Sequence, residues 1–313
     1  MSEESNPKSS LSEFKPYLGL RYWPTWFGLG ILRLLSMLPL PLLAVIGYIL
    51  GSLFYALHTS RRKIALKNLK VCFPEIADSK LKKINWLHYC MLGHSVMTSC
   101  MNWWISPRRF KSLVTISGRE DYDAAITQGR NIILLAPHFM SLEVSGLALQ
   151  HERPMIGVYQ YMKNGLMDTM ALRGRSRFCP EGLMFERKQP LRTLLREIRK
   201  GYPMLYSPDQ DAGRKGVFVP FFHTLASTIP TLAKFILTTN AVVIPCRNSI
   251  LPWGKGYNVE LGPRIEGLAS GDEKKDTEAM NRAIEVMIRK APEQYLWVHK
   301  RFKTRPDGEA KFY

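Results

Sequence analysis

His138 closes a run of aliphatic residues, Asn131-Ile-Ile-Leu-Leu-Ala-Pro137, and is followed by Phe-Met-Ser-Leu-Glu143. An imidazole is the side chain best suited to take up and return a proton near neutral pH. The aliphatic run predicts a strand and the residues after it predict an amphipathic helix. His138 then stands at the C-terminal edge of a strand beside a helix start, where α/β folds collect their ligands. The positive end of that helix dipole disfavours an imidazolium, so the ring is kept neutral, as a general base requires. Glu143 lies five residues on, a spacing that does not stack two side chains on one helical face. A histidine on the preceding loop can nevertheless reach back to a first-turn carboxylate, which would fix its tautomer and stabilise the imidazolium. The H-x-x-x-x-E spacing is common by chance, and a purely structural histidine is the competing reading. No H-E-x-x-H and no third ligand accompany it, so no metal is expected.

Three further segments carry chemistry-bearing residues. Tyr206-Ser-Pro-Asp209-Gln210-Asp211 follows another short apolar run and continues to Arg214, Lys215 and Gly216. It can share the sheet edge of His138, with a solvated turn as the alternative. Arg173, Arg175 and Arg177 alternate along one stretch and suit forked binding of phosphate or carboxylate, or else form a basic surface loop. Near the end, Lys300, Arg301, Lys303 and Arg305 follow Tyr295 and Trp297, a patch suited to face phosphates or a membrane. Serine-hydrolase, P-loop and dinucleotide fingerprints are all absent from the sequence.

The elements that must position these residues follow from periodicity. Strands are predicted over Leu113–Ile116, Asn131–Ala136, Met155–Tyr159, Met204–Ser207, Val217–Phe222, Val242–Cys246 and Tyr257–Leu261. Helices are predicted over Tyr122–Gln128, Met140–Gln150, Gly165–Leu172, Leu191–Arg199, Thr231–Thr239 and Thr277–Lys290. Alternation of the two types predicts an α/β fold with a mixed, largely parallel sheet flanked by helices. Before it, a long helix is expected to about Trp104, with Asp78 or Ser79 as its N-cap.

The N-terminal part is of another character. Between Trp26 and Leu57 the only charged residue is Arg33, a run long enough for a membrane anchor. It is not a cleavable signal peptide, because the polar, mixed-charge stretch Met1 to Lys15 precedes it. Pro39 and Pro41 predict a break near Leu38–Pro41 between helices over Trp26–Met37 and Leu42–Leu57. One kinked span and a re-entrant hairpin both satisfy this pattern, and a buried core hairpin is the alternative. Beyond it, Arg61, Arg62, Lys63, Lys67, Lys70, Lys80, Lys82 and Lys83 are offset only by Glu75 and Asp78. Such a collar stays on the cytoplasmic side and binds anionic headgroups, while Tyr22, Trp23, Trp26 and Phe27 form an interfacial belt. The expected organisation is a polar segment over 1–24, an anchor over 25–58, basic membrane-proximal helices over 59–110 and an α/β domain over 111–313.

Composition agrees with an ordered protein whose partners are anions. Of 313 residues, 44 are Lys or Arg and 26 Asp or Glu, a net charge of +18, yet 46% are hydrophobic, which excludes a disordered polycation. A mean hydropathy of −0.13 conceals the oily N-terminal part. Five cysteines without a C-x-x-C argue against a disulfide framework and for a reducing compartment. Basic residues without interleaved recognition elements make nucleic acid the weakest partner.

Taken in order, these segments resemble the bacterial lipid A late acyltransferases of the lauroyl and palmitoleoyl (Kdo)-lipid IVA type. The blocks that carry the resemblance are Arg21-Tyr-Trp-Pro-Thr-Trp-Phe-Gly-Leu-Gly30, Lys67-Asn-Leu-Lys-Val-Cys-Phe-Pro74, His138 to Glu143, Arg173-Gly-Arg175, Pro208 to Asp211, and Pro292 to Pro306. The H-x-x-x-x-[DE] element is shared with the wider glycerophosphate-type acyltransferases; the first and last blocks are more specific. The resemblance implies a glycerophosphate-acyltransferase-like fold behind a membrane-anchoring helical segment. It implies transfer of a fatty acyl chain from acyl carrier protein to the hydroxyl of a hydroxyacyl chain on (Kdo)-lipid IVA, with acyl carrier protein as co-substrate and no other cofactor. It implies His138 as catalytic base and Glu143 as its acidic partner, no covalent acyl-enzyme, Arg175 with Arg173 near the site, and Asp209 and Asp211 in the later acidic block. It also implies an enzyme of the bacterial inner membrane whose catalytic domain faces the cytoplasm. The alternatives left open are an acyltransferase of the same superfamily with another glycolipid or glycerolipid acceptor, and a non-catalytic basic adaptor of membrane or nucleic acid.

Overall fold

The structure is a computed structural model that describes residues 12–313; residues 1–11 of the expected polar segment lie outside the described residues. Two short 3₁₀ turns, Ser12–Tyr17 and Leu20–Tyr22, lead into α1 (Trp23–Leu35), with Pro24 in its first turn, where the missing amide donor costs nothing. The break covers 36–39, two residues earlier than expected, because Pro41 is accommodated in the first turn of the next helix. Pro39 precedes α2 (Leu40–Leu57), and α3 (Thr59–Cys72), α4 (Asp78–Trp104) and α5 (Pro107–Leu113) follow. The expected cap at Asp78 or Ser79 does not form. α4 begins at Asp78 behind Ala77, and the Asp78 carboxylate instead accepts from Lys70 Nζ at 2.6 Å.

α2 has the length and composition of a membrane-crossing helix, with a mean hydropathy of 2.0, but one side of it is packed on α4. Gly47 and Gly51 make that contact possible, since a Cβ on either would stand within 2.5 or 2.1 Å of the α4 backbone. The other side presents Leu42, Val45, Ile49, Leu53 and Leu57 as an exposed stripe, and α1 presents Trp23, Phe27, Ile31 and Leu34. Spacings of three and four residues make each set a single helical face.

Nine strands follow, alternating with α6 (Glu120–Thr127), α7 (Leu142–Gln150), α8 (Gly165–Ser176), α9 (Leu191–Arg199), α10 (Thr231–Thr239) and α11 (Glu273–Lys290). Seven of them form one sheet: β1 (Val114–Ser117), β2 (Ile132–Leu135), β3 (Ile156–Tyr159), β4 (Leu183–Glu186), β5 (Met204–Tyr206), β8 (Val242–Ile250) and β9 (Tyr257–Leu261). Their order is β1-β9-β8-β2-β5-β3-β4, and every pairing is parallel except β8 with β9. The remaining two, β6 (Val217–Phe221) and β7 (Thr224–Thr228), form a separate hairpin. The fold is therefore α/β with a mixed, mostly parallel sheet flanked by helices, as expected. β4 and β7 were not among the expected strands, and β8 runs four residues further than expected.

The sheet is covered on both faces, which is why its central strands are continuous aliphatic runs. Ile133 and Leu135 face a layer from α3, α9, α10 and α11, while Ile132 and Leu134 face α2, α4, α6 and α7. All four are at most 1% exposed, and each side chain so buried contributes about 1.5–3 kcal/mol. β2 is thereby a firmly packed strand from which to project a reactive side chain.

Candidate active site

β2 and β5 run side by side and parallel, with Leu135 opposite Tyr206. His138 and Asp209 each stand three residues beyond that register, so adjacency of the strands brings together two residues distant in sequence. Asp209 Oδ1 lies 2.7 Å from His138 Nδ1, and its Oδ2 accepts from the His138 backbone N–H at 2.9 Å. The carboxylate is 1% exposed and the imidazole 27%. A buried carboxylate accepts, so Nδ1 carries the proton of the neutral ring and the Nε2 lone pair remains for other work.

Burial pushes the Asp209 carboxyl up, but the charge of His138 and the two hydrogen bonds it provides outweigh burial and bring Asp209 down to about 2. For His138 burial pushes the ring down. Attraction to Asp209 and the hydrogen bond donated to it prevail and raise it, with the Arg187 guanidinium opposing. Asp209 thus remains ionised throughout the neutral range and favours a proton on His138.

The loop carrying His138 is stitched to the last part of the chain. Leu296 N–H donates to the His138 carbonyl at 3.1 Å, and Met140 N–H to the Gln294 carbonyl at 2.9 Å. Tyr295 packs its ring on Phe139 and donates its hydroxyl to the Asp209 carbonyl at 3.4 Å. On the other flank the Ser207 hydroxyl donates to the Ala136 carbonyl. Every backbone partner here belongs to a strand end or to the segment at 294–296, so the pair has little freedom to drift.

Glu143 is placed differently from expectation. It sits in the first turn of α7, and its Oε1 accepts from Arg175 Nε at 3.1 Å on α8; among the described residues no hydrogen bond joins it to His138. The carboxylate against the imidazole is that of Asp209. The two terminal nitrogens of Arg175 have no hydrogen-bond partner among the described residues, leaving a guanidinium oriented through Nε with its fork free. Arg173 lies over the Phe14 ring at 5.6 Å, and Arg177 donates to the Asn102 carbonyl at 3.0 Å, so the three arginines of that stretch do separate things.

Asp211 fastens the loop after β5 to the tail. Its carboxylate accepts from Thr304 N–H at 3.1 Å and from the Thr304 hydroxyl at 2.9 Å, while its own N–H donates to His299 Nε2 at 3.1 Å. Burial first, and then the Arg301 charge, push His299 down, which suits a ring nitrogen that accepts. Arg301, read from sequence as part of a surface patch, is buried: it donates to the Ser227 carbonyl and to the Thr228 hydroxyl, both at 2.6 Å. Arg305 reaches the Leu225 carbonyl and Glu309. Half of that basic cluster therefore binds the tail to the β6–β7 hairpin. Tyr295 and Arg187 escaped sequence reasoning as neighbours of the site. Tyr295 was legible only as an aromatic of the tail, and Arg187 as one charge after an unrecognised strand. Cys72, Cys90, Cys179 and Cys246 are free and buried. No group of three or more metal-ligating side chains is assembled among the described residues.

The model of the family described as bacterial lipid A biosynthesis acyltransferase matches residues 12–304. A lipid A biosynthesis palmitoleoyltransferase of Escherichia coli K12 is 34% identical over 302 residues, covering 96% of this chain and 97% of its own. A lipid A biosynthesis lauroyltransferase of the same organism is 34% identical over 305 residues, with 96% and 97% covered. A lipid A biosynthesis acyltransferase of Haemophilus influenzae is 33% identical over 303 residues, with 95% and 96% covered. With the match running over nearly all of its length, the chain belongs to the bacterial lipid A biosynthesis acyltransferases and is an acyltransferase enzyme.

Proposed function

We propose that this enzyme transfers a fatty acyl chain of the lauroyl type from the thioester of acyl carrier protein to the hydroxyl of a hydroxyacyl chain on (Kdo)-lipid IVA. His138 is the general base. The acceptor hydroxyl gives its proton to Nε2 as its oxygen attacks the thioester carbonyl carbon, and a tetrahedral oxyanion forms. When it collapses, the carbon–sulfur bond breaks, the carrier thiolate leaves and takes the proton from Nε2, and an ester remains. The observation that carries this reading is the buried contact of 2.7 Å between His138 Nδ1 and Asp209 Oδ1, which orients the ring and compensates the charge it gains. Glu143 acts through Arg175. The free fork of that guanidinium and the backbone amides at the start of α7 are the donors for the oxyanion or for an acceptor phosphate. Direct transfer requires proximity and a base, and neither a covalent acyl-enzyme nor a cofactor.

The exposed faces of α1 and α2 enter the apolar layer of the bacterial inner membrane from the cytoplasmic side, and the exposed cations of α3 and the start of α4 meet its anionic headgroups. The test is purified enzyme in vesicles with acyl carrier protein thioester and (Kdo)-lipid IVA, followed by mass spectrometry of the lipid. One added acyl mass on a hydroxyacyl chain supports the reading. Transfer to a glycerolipid with none to (Kdo)-lipid IVA overturns the acceptor, and no transfer to either overturns the function.

A further inference from the structure

α8 is held by the N-terminal strap as well as by α4 and α7. Tyr17, at the end of the first 3₁₀ turn, accepts from the Thr169 hydroxyl on α8 at 3.2 Å, and Trp26 Nε1 on α1 fixes that turn by donating to the Tyr17 carbonyl at 2.9 Å. Asn164, the N-cap of α8, donates its amide to Thr25 Oγ1 of α1 at 2.9 Å. Leu29 of α1 and Leu166 and Met170 of α8 form a small buried core of their own, lined by the Trp26 and Phe14 rings 5.7 Å apart. There is no slack at either end of α8. A Cβ at Gly165 would stand 2.9 Å from the Tyr17 ring, and one at Gly174, the residue before Arg175, 2.4 Å from the Trp103 ring. The opposite face of α1 is the exposed apolar one. A single helix thus presents one side to the surroundings and the other to the helix that carries Arg175.

We propose that the strap of the first 3₁₀ turn and α1 is a positioning element for the reaction, with Trp26 and Tyr17 as positioning residues that act through α8 to hold Arg175 Nε on Glu143 and so aim its free fork. The proposal rests on the reading of Arg175 as the donor to the oxyanion or to an acceptor phosphate. Displacement of a positioned group by about 1 Å costs up to 10²-fold in rate, so loosening α8 lowers kcat without touching the base.

The experiment is a double-mutant cycle on the full-length enzyme in vesicles, reading kcat per folded molecule for Trp26→Ala, Arg175→Ala and the double variant, with hydrogen exchange of the α8 amides measured on the same samples. The expected result is a kcat loss of about tenfold or more for Trp26→Ala. In the Arg175→Ala background the same substitution has no further effect, because the group being positioned is gone. Exchange rises at residues 165–176 and not in β2. Trp26→Phe, which keeps a ring against Phe14 but loses the Nε1–H bond to the Tyr17 carbonyl, recovers only part of the rate, and Gly165→Ala, which pushes Tyr17 from the α8 side, reproduces the loss. Multiplicative losses in the double variant, unchanged exchange in α8, or full activity of Trp26→Ala each overturn the proposal. Failure of the function itself is distinguishable, because there the wild-type enzyme transfers no acyl chain.

Discussion

Asp209 and Glu143 are both acidic, both follow strands of the same sheet and both touch a basic partner, yet their surroundings differ. Asp209 is buried against His138, which it meets at ring Nδ1 and at the backbone N–H, and its side chain is 1% exposed. Glu143 meets Arg175 through one hydrogen bond, with the two side chains 22% and 32% exposed. A charge pair out of water acts on its partner strongly, because little solvent screens it, whereas solvent reaches and weakens a partly exposed pair such as Glu143 and Arg175. The lesson is that the carboxylate able to govern an imidazole is chosen by burial and strand adjacency, and spacing along the chain does not choose it.

The comparison makes graded predictions. His138→Ala, which removes the proposed base, lowers kcat by about 10²–10⁴-fold in an acyl-transfer assay, with the circular dichroism spectrum unchanged. Asp209→Asn follows, at about 10²–10³-fold, because the amide can present the wrong hydrogen-bonding atom to Nδ1 and cannot compensate the imidazolium. A loss confined to KM would break the comparison at this point. Glu143→Gln is expected to cost about tenfold, since it loosens Arg175 and leaves the ring in place; a loss as large as that of Asp209→Asn would equate the two carboxylates. Smallest in rate is Asp211→Asn, whose carboxylate serves Thr304 and not the imidazole. Its effect is read in the melting temperature, lowered by roughly 2–4 °C for the loss of about 1 kcal/mol, with kcat within about twofold of wild type.

Linkage adds a stability signature. Asp209 in the folded chain lies near 2, below its ordinary 3.8, so the stabilisation is fully present above that ordinary value and is lost as pH falls toward 2. Asp209→Asn flattens acid unfolding in that window, as followed by fluorescence at stepped pH.

Much of this site could be read before its geometry was known. The four consecutive aliphatics of β2 are buried on both faces, a pattern few other environments produce, and they fix the end from which His138 projects. Asp209 was legible as a carboxylate at the end of another apolar run. Its partnership was not, because β5 reaches β2 only through the sheet order, with β3 and β4 intervening in sequence. Nearest in sequence, Glu143 instead turns with α7 toward α8. β4 escaped as a half-buried edge strand ending in Glu186, and β7 because Thr224, Ser227 and Thr228 give a hairpin strand a polar composition. Cations of the tail could be counted but not assigned, since a buried Arg301 satisfied by Ser227 and Thr228 has the same sequence signature as an exposed one.

The most direct test of the central claim is the pH dependence of kcat for wild type, Asp209→Asn and Glu143→Gln side by side. The base must be neutral to act, so activity falls on the acid side as His138 takes a proton. Asp209 raises the pH at which that happens, and its removal moves the acid limb to lower pH while the plateau falls. The expected result is that shift for Asp209→Asn, with the limb of Glu143→Gln coincident with wild type. A limb that moves for Glu143→Gln and stays in place for Asp209→Asn contradicts it.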